Sequence, residues 1–342
     1  MVALSDVQVS NARISSALPP GLVAVFVGGT SGIGELTLKK FAKYAVKPRI
    51  YFIGRSQDAG DRILSECEVV NPKGEFTFIK ADVSLLRVVD NVCRDIKPKE
   101  DTINLLFLSA VTTAFGEKTS EDLYFPAVLA YYSRTRFIVN LLPLLRRATS
   151  LRRVVTVLAA GREGPINANN FQAAHYYSFA ILSARAHIAS MITLSLETLA
   201  KNSPEVSFIH EFPGFVKTGL GRSASTLTAL FGKAIFTIIG PWLFVPNDES
   251  GERHLYLATS AKYPSKACTD EDSDLPFADG VSVARGTEGK NGSGVYSVNW
   301  DGESSGPQVE EILVKLREDG LVGKLWEHTE YEFERITGAV TM

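Results

Sequence analysis

Residues 22–44 read LVAVFVGGTSGIGELTLKKFAKY, and this stretch decides the fold. Leu22 to Val27 is an unbroken apolar run of strand length. Gly28-Gly29-Thr30-Ser31-Gly32-Ile33-Gly34 is a glycine-rich turn, and Gly34 to Tyr44 has helical spacing. Glycines let the backbone turn sharply and come close to a pyrophosphate. The helix start that follows offers free N–H groups and the positive end of its dipole. Such a turn means little alone; between a strand and a helix it points to a dinucleotide site. A tight turn without a ligand is the bland alternative, and the strand–helix pattern repeated downstream counts against it.

Further apolar runs of strand length follow at Arg49–Ile53, Glu75–Ile79, Ile103–Leu108, Arg153–Leu158, Val206–Glu211 and Gly294–Val298. Most are continuously apolar rather than alternating, as in strands covered on both faces. Helical spacing fits Leu85–Ile96, Leu123–Leu145, His175–Lys201 and a terminal helix over Val309–Ile336. The pattern predicts an α/β chain with a doubly wound, mostly parallel sheet of Rossmann type and helices on both faces. We expect a single domain over 1–342. Residues 20–220 form its dinucleotide-binding core, and 220–342 supply a substrate lid, the last strand and the terminal helix. Thr226 to Val245 is long and apolar, but Lys233 and Gly240-Pro241 argue for a lid over an apolar pocket rather than a membrane span.

Composition narrows the function classes. The 342 residues are 45% hydrophobic and 22% charged, with 36 basic and 38 acidic side chains and a net charge of −2, which leaves no footprint for nucleic acid. Three cysteines without metal-ligand spacing imply a reducing, cytoplasmic setting and no metal site.

The glycine turn resembles that of the short-chain dehydrogenase/reductase family, Thr-Gly-x-x-x-Gly-x-Gly. Gly28 is read at the family's Thr position, with Gly29, Ser31, Gly32, Ile33 and Gly34 in place. The resemblance extends over residues 20–220. Arg55 ends the second strand where the family reads the adenine ribose, and Asp82-Val83 ends the third where it contacts adenine. Leu108-Ser109-Ala110-Val111 stands for its Asn-Asn-Ala-Gly and keeps only Ala110. Pro213-Gly214-Phe215-Val216-Lys217-Thr218 resembles its Pro-Gly-x-Val-x-Thr beside the nicotinamide. An acidic residue at position 55 would favour NAD; Arg accommodates the 2′-phosphate of NADP. Val at Gly32 or Gly34 is expected to abolish dinucleotide binding and spare the fold.

The family's Asn-Ser-Tyr-Lys tetrad is degenerate here. Val157-Leu158-Ala159-Ala160 puts Ala159 at the Ser position, and Ala130 stands near the Asn position. Tyr176 and Tyr177 are followed four residues on by Ala180 and Ile181, and the register counted from Leu196-Glu197 puts Ala184 at the Lys position. A carbonyl that accepts hydride leaves an alkoxide needing a proton, so Tyr176, Tyr177 and His175 are the candidate catalytic residues. Tyr131, Tyr132, Arg134 and His187 are further candidates, each with a packing role as the blander alternative. Three readings stand open. One is NADP(H)-dependent carbonyl reduction or alcohol oxidation with a substitute proton donor. The others are a redox-silent isomerase, cyclase or dehydratase, and a non-catalytic binder. Resemblance to secondary-metabolism members of the family implies a small apolar substrate, polyketide- or terpenoid-like, and homo-oligomerisation is left open.

Overall fold

The computed structural model describes residues 1–112, 117–174, 181–216, 244–268 and 281–342. Among them are the strands β1 (Val23–Val27), β2 (Arg49–Gly54), β3 (Glu75–Lys80), β4 (Leu105–Leu108), β5 (Arg153–Val157), β6 (Ser207–Phe212) and β7 (Val295–Asn299). They form one sheet in the order β3-β2-β1-β4-β5-β6-β7, and every neighbouring pair is parallel. The register sets Val27 beside Ile53 on one side and Leu108 on the other. The chain winds outward from β1 in both directions, so a crevice opens between the C-terminal ends of β1 and β4, where such sheets bind ligands.

The helices, in chain order, are α1 (Leu4–Ala12), α2 (Ile14–Ala17), α3 (Gly32–Tyr44), α4 (Gln57–Val70), α5 (Leu86–Ile96), α6 (Phe125–Ala127), α7 (Ser133–Arg147), α8 (Ile181–Asn202), α9 (Asn247–Thr259), α10 (Pro307–Glu318) and α11 (Leu321–Thr337). The alternating side chains of each strand divide the core into two layers. Ala24, Phe26, Phe52, Phe107 and Val155 pack with Leu38, Phe41, Ile63 and Leu255 on the face of α3, α4 and α9. Val25, Leu106, Leu108 and Val154 pack with Val89, Phe137, Ile188 and Leu325 on the face of α5, α7, α8 and α11. Every residue of β1, β4 and β5 is buried, which explains the unbroken apolar runs of β1 and β4; β5 buries Arg153 and Thr156 among its valines. Each fully buried Val, Leu or Phe contributes roughly 1.5–3 kcal/mol.

Two expected helices are interrupted. The long one begins as α6 with Pro126 in its first turn, passes through a π-helical turn over Val128–Tyr132, and continues as α7. The terminal helix breaks at Gly320, whose φ of +69° places it in the left-handed region where glycine is at ease. Helices α1, α4 and α9 carry too many polar residues for apolar spacing to reveal them. Of these, α9 packs closely on α3, where a Cβ on Gly251 would lie 3.2 Å from the Leu36 carbonyl.

Candidate active site

At the end of β1 the chain turns through Gly28 at φ +90° and Gly32 at φ +56°, and Ser31 is the N-cap of α3. The N–H groups of Gly28 and Gly29 both donate to the Ile53 carbonyl, at 3.0 and 3.1 Å, which folds the turn against β2. A Cβ on Gly28 would lie 2.7 Å from the Ala110 nitrogen, and one on Gly34 would overlap the Gly28 carbonyl oxygen. These contacts correct the register of the motif. The tight-turn glycine is Gly28, so Val27 takes the family's Thr position, Gly32 is the middle glycine and Gly34 the one that seats helix on strand. The first N–H groups of α3 have no partner within the helix, and the dipole adds partial positive charge there. A concave turn of this kind fits a pyrophosphate.

The other expected cofactor residues surround the same edge of the sheet. Arg55 is exposed just past β2, beside Ser56, whose hydroxyl accepts from the Ala59 N–H at 3.3 Å and caps α4. Asp82 is exposed past β3 and accepts from the Ser84 N–H at 3.1 Å, while Val83 is buried under it. Ala110 follows β4, its N–H donating to the Val27 carbonyl at 3.1 Å. Pro213 and Gly214 follow β6. Gly214 has φ +69°, and a Cβ there would lie 2.9 Å from the Trp300 ring. Val216 pairs with Val245, and Val245 N–H donates to the Phe215 carbonyl at 2.8 Å. Thr218 and nearly all of the expected lid at 226–245 lie outside the described residues.

The alanines read at the tetrad positions are placed as follows. Ala159 sits past the end of β5, buried, with its N–H donating to His210 Nε2 at 3.2 Å. Ala184 is buried on α8, and Ala130 lies in the π-helical turn. His175, Tyr176 and Tyr177 lie outside the described residues. The secondary candidates take packing roles. Tyr131 shares its hydroxyl with Ser195 and Thr329, both at 2.7 Å, and burial pushes it up to about 12. Tyr132 meets His328 Nε2 at 2.7 Å. His187 accepts from the Asn167 N–H at 3.1 Å, faces the Phe171 carbonyl with its other nitrogen, and is pushed down by burial. It ties the 167–171 loop to α8. Asn140, too far along α7 to stand for the tetrad's Asn, donates to Asp90 beside Arg136.

Arg134 has a role that sequence reading missed. It is 3% exposed and reaches from α7 under the ends of β4 and β5. Its guanidinium donates to the carbonyls of Leu108 (3.1 Å), Val157 (2.9 Å), Ala110 (2.8 Å) and Leu129 (2.9 Å), and to Thr156 Oγ1 (2.7 Å). Burial pushes it down to about 9, still charged at neutral pH. The strand ends that border the crevice are thus held by one side chain, and the π-helical turn is fastened to them. Backbone carbonyls carry no sequence signature, so the residues around Arg134 gave no sign of it.

A second buried network lies on the β5–β7 side. Glu163 Oε1 accepts from Thr193 Oγ1 at 2.9 Å and Ser297 Oγ at 2.7 Å, and lies 3.6 Å from His210 Nδ1. Burial works against the Glu163 charge, but the contacts with His210 and Ser297 outweigh it and hold the carboxyl below its usual range. Among the described residues no group of His, Cys, Asp and Glu could hold a metal ion, and no helix is long and apolar enough to cross a membrane.

The chain is similar to known proteins over nearly its whole length. Residues 22–145 match the short chain dehydrogenase family. The chain is 40% identical to Oxidoreductase AN1596 of Emericella nidulans over 334 residues, 96% of this chain and 97% of that one. It is 30% identical to the Short-chain dehydrogenase/reductase SAT2 of Stachybotrys chartarum, over 95% of this chain and 96% of that one. Among solved structures, Pseudomonas aeruginosa RhlG, in an NADP active-site complex, has the same fold at a TM-score of 0.55 and 18% identity, covering 78% of this chain and 97% of that one. The chain belongs to the short-chain dehydrogenase/reductase family of oxidoreductases.

Proposed function

We propose that the protein binds NADP(H) in the β1–β4 crevice and reduces a carbonyl of a small apolar molecule, polyketide- or terpenoid-like. The observation that carries this is the cradle at Gly28 and Gly34. Side chains there would fill the space between turn, strand and Ala110, at a helix start facing the crevice. In this reading Gly28 to Gly34 hold the pyrophosphate, Asp82 and Val83 the adenine, Arg55 the 2′-phosphate, and Pro213, Gly214, Val216 and Thr218 the nicotinamide side. The same fold in Pseudomonas aeruginosa RhlG, a complex with NADP, supports the choice of a nicotinamide cofactor. When bound, the nicotinamide supplies hydride.

The chain must then supply a proton. Ala159 and Ala184 cannot, so the donor comes from Tyr176, Tyr177 or His175. A phenol without a lysine beside it titrates near about 10 and keeps its proton at neutral pH. It is then an adequate acid and a poor base, which favours reduction over alcohol oxidation. Tyr176→Phe, Tyr177→Phe and His175→Ala are assayed by NADPH absorbance with a panel of polyketide- and terpenoid-like ketones. One of the three variants should lose NADPH consumption. Conversion of substrate without NADPH consumption would replace this reading with the isomerase, cyclase or dehydratase one, for which Ala159 already speaks.

Cofactor choice is testable alone. Arg55→Ala should weaken NADPH by about tenfold, the loss of one charge-assisted contact, and leave NADH nearly unchanged. Fluorescence titration measures both. Equal affinity of the unmodified protein for NADPH and NADH would sink the assignment of Arg55.

A further inference from the structure

Beyond the crevice, two guanidinium groups converge on one aromatic ring. Phe212 ends β6 on the α8 face of the sheet, the face shared with Phe208 and His210. Arg185 of α8 lies over its ring at 4.9 Å, and Arg162 at 5.8 Å. Arg185 is half-buried and Arg162 exposed. Among the described residues neither has a carboxylate partner within ion-pair distance. The carboxylate next in sequence, Glu163, turns its Oε1 inward to Thr193 and Ser297. Burial, and after it the like charge of Arg162, push Arg185 below its ordinary value.

Two like charges that share one ring, one of them partly desolvated and lowered by the other, are costly without an anion to neutralise them. A second aromatic ring lies beside them: Phe215, 53% exposed, meets Phe212 edge-to-face at 6.4 Å between ring centres. The place is also wrong for the cofactor phosphates. Arg185 and Phe212 lie on the sheet face opposite α3, and β6 stands three strand spacings from β1, roughly 14 Å away. It borders Pro213 and Gly214, where the family resemblance puts the nicotinamide.

We propose that Arg162 and Arg185 form an anion clamp at the rim of the substrate pocket, so that the substrate is an amphiphile with an apolar body on Phe212 and Phe215 and a carboxylate between the two guanidiniums. The inference deepens the proposed reductase reading by naming a substrate class. The two arginines select substrate and move no proton.

Three probes share one apolar body: octanoate, octan-1-ol and octylamine. Each is titrated into the full chain by ligand-observed NMR, with NADPH present and absent. Octanoate should bind at least about fivefold more tightly than octan-1-ol, the scale of a charge-assisted contact near a surface, and octylamine most weakly. Arg185→Gln should reduce the preference to within about twofold, Arg185→Lys should keep part of it, and the double Gln variant should abolish it. A thermal melt confirms that each variant is folded. Equal binding of octanoate and octan-1-ol, no binding of either, or an unchanged preference in Arg185→Gln overturns the clamp. So does an Arg185→Gln variant that loses NADPH affinity yet keeps the octanoate preference, since the pair would then serve the cofactor. A chain that prefers octanoate through these arginines but binds no NADPH keeps the clamp and refutes the reductase reading instead.

Discussion

Gly34→Val should leave no measurable NADPH binding and should lower the stability of the fold as well. A Cβ at position 34 meets the Gly28 carbonyl oxygen, the Gly28 carbonyl carbon at 3.0 Å and Ser109 Oγ at 2.5 Å. Ser109 could rotate away; the Gly28 backbone cannot, because its N–H is bonded to Ile53 in β2. Helix α3 must therefore shift off β1, carrying its N–H groups away from the pyrophosphate position. Overpacking of this kind costs about 1–3 kcal/mol, and the variant should melt several degrees lower. This departs from the expectation that Val at either glycine spares the fold. At Gly32 the obstacle is a φ of +56°, which any other residue adopts only with strain, so Gly32→Ala should cost less stability than Gly34→Val. Calorimetric titration with NADPH and a thermal melt test both. Normal NADPH binding by Gly34→Val would refute the assignment of the turn as the cofactor cradle.

The contrast between the two glycines shows what can be read from sequence. The strands were legible because β1 and β4, buried on both faces, are apolar throughout, and β5 differs only by the buried Arg153 and Thr156. Strand β3, at the sheet edge, still showed because Phe76 and Phe78 remain partly buried against one core layer and Ile79 against the other. Helix α9 was not legible. Its buried face includes Glu252, Arg253 and His254, which meet Asn11, Lys40, Val2 and Glu211, and no hydropathy pattern records such pairs. The register of the glycine turn follows from spacing, since only Gly28, Gly32 and Gly34 stand four and two residues apart, and Gly28 facing Ala110, a contact across 82 residues of chain, agrees with it. Ala159 was read at the family's Ser position from the sequence, and it lies buried past the end of β5. Convergence of Arg162, Arg185 and Phe212 was not legible there, because three separate segments supply them.

Arg134→Met should destabilise the protein more than any other single substitution considered. Methionine keeps much of the aliphatic bulk and removes every donor. Four backbone carbonyls and the Thr156 hydroxyl then lose their partner at a site 3% exposed. An orphaned buried acceptor costs about 1–3 kcal/mol, and some of the carbonyls will recover a water. A net loss of about 4 kcal/mol is expected, a large part of an ordinary domain's stability of about 5–15 kcal/mol. Lysine should rescue little, because its single ammonium has three donors and cannot span carbonyls on both strands and the π-helical turn. The damage should reach the crevice too. The Ala110 carbonyl is held by Arg134, and the Ala110 backbone is what a side chain at Gly28 would strike, so the cradle depends on that hold. Urea unfolding of Arg134→Met and Arg134→Lys measures the first effect, and NADPH titration of whatever remains folded measures the second. A loss under about 1 kcal/mol in Arg134→Met would mean that water replaces the guanidinium freely, and the strand ends would then owe their geometry to the sheet alone.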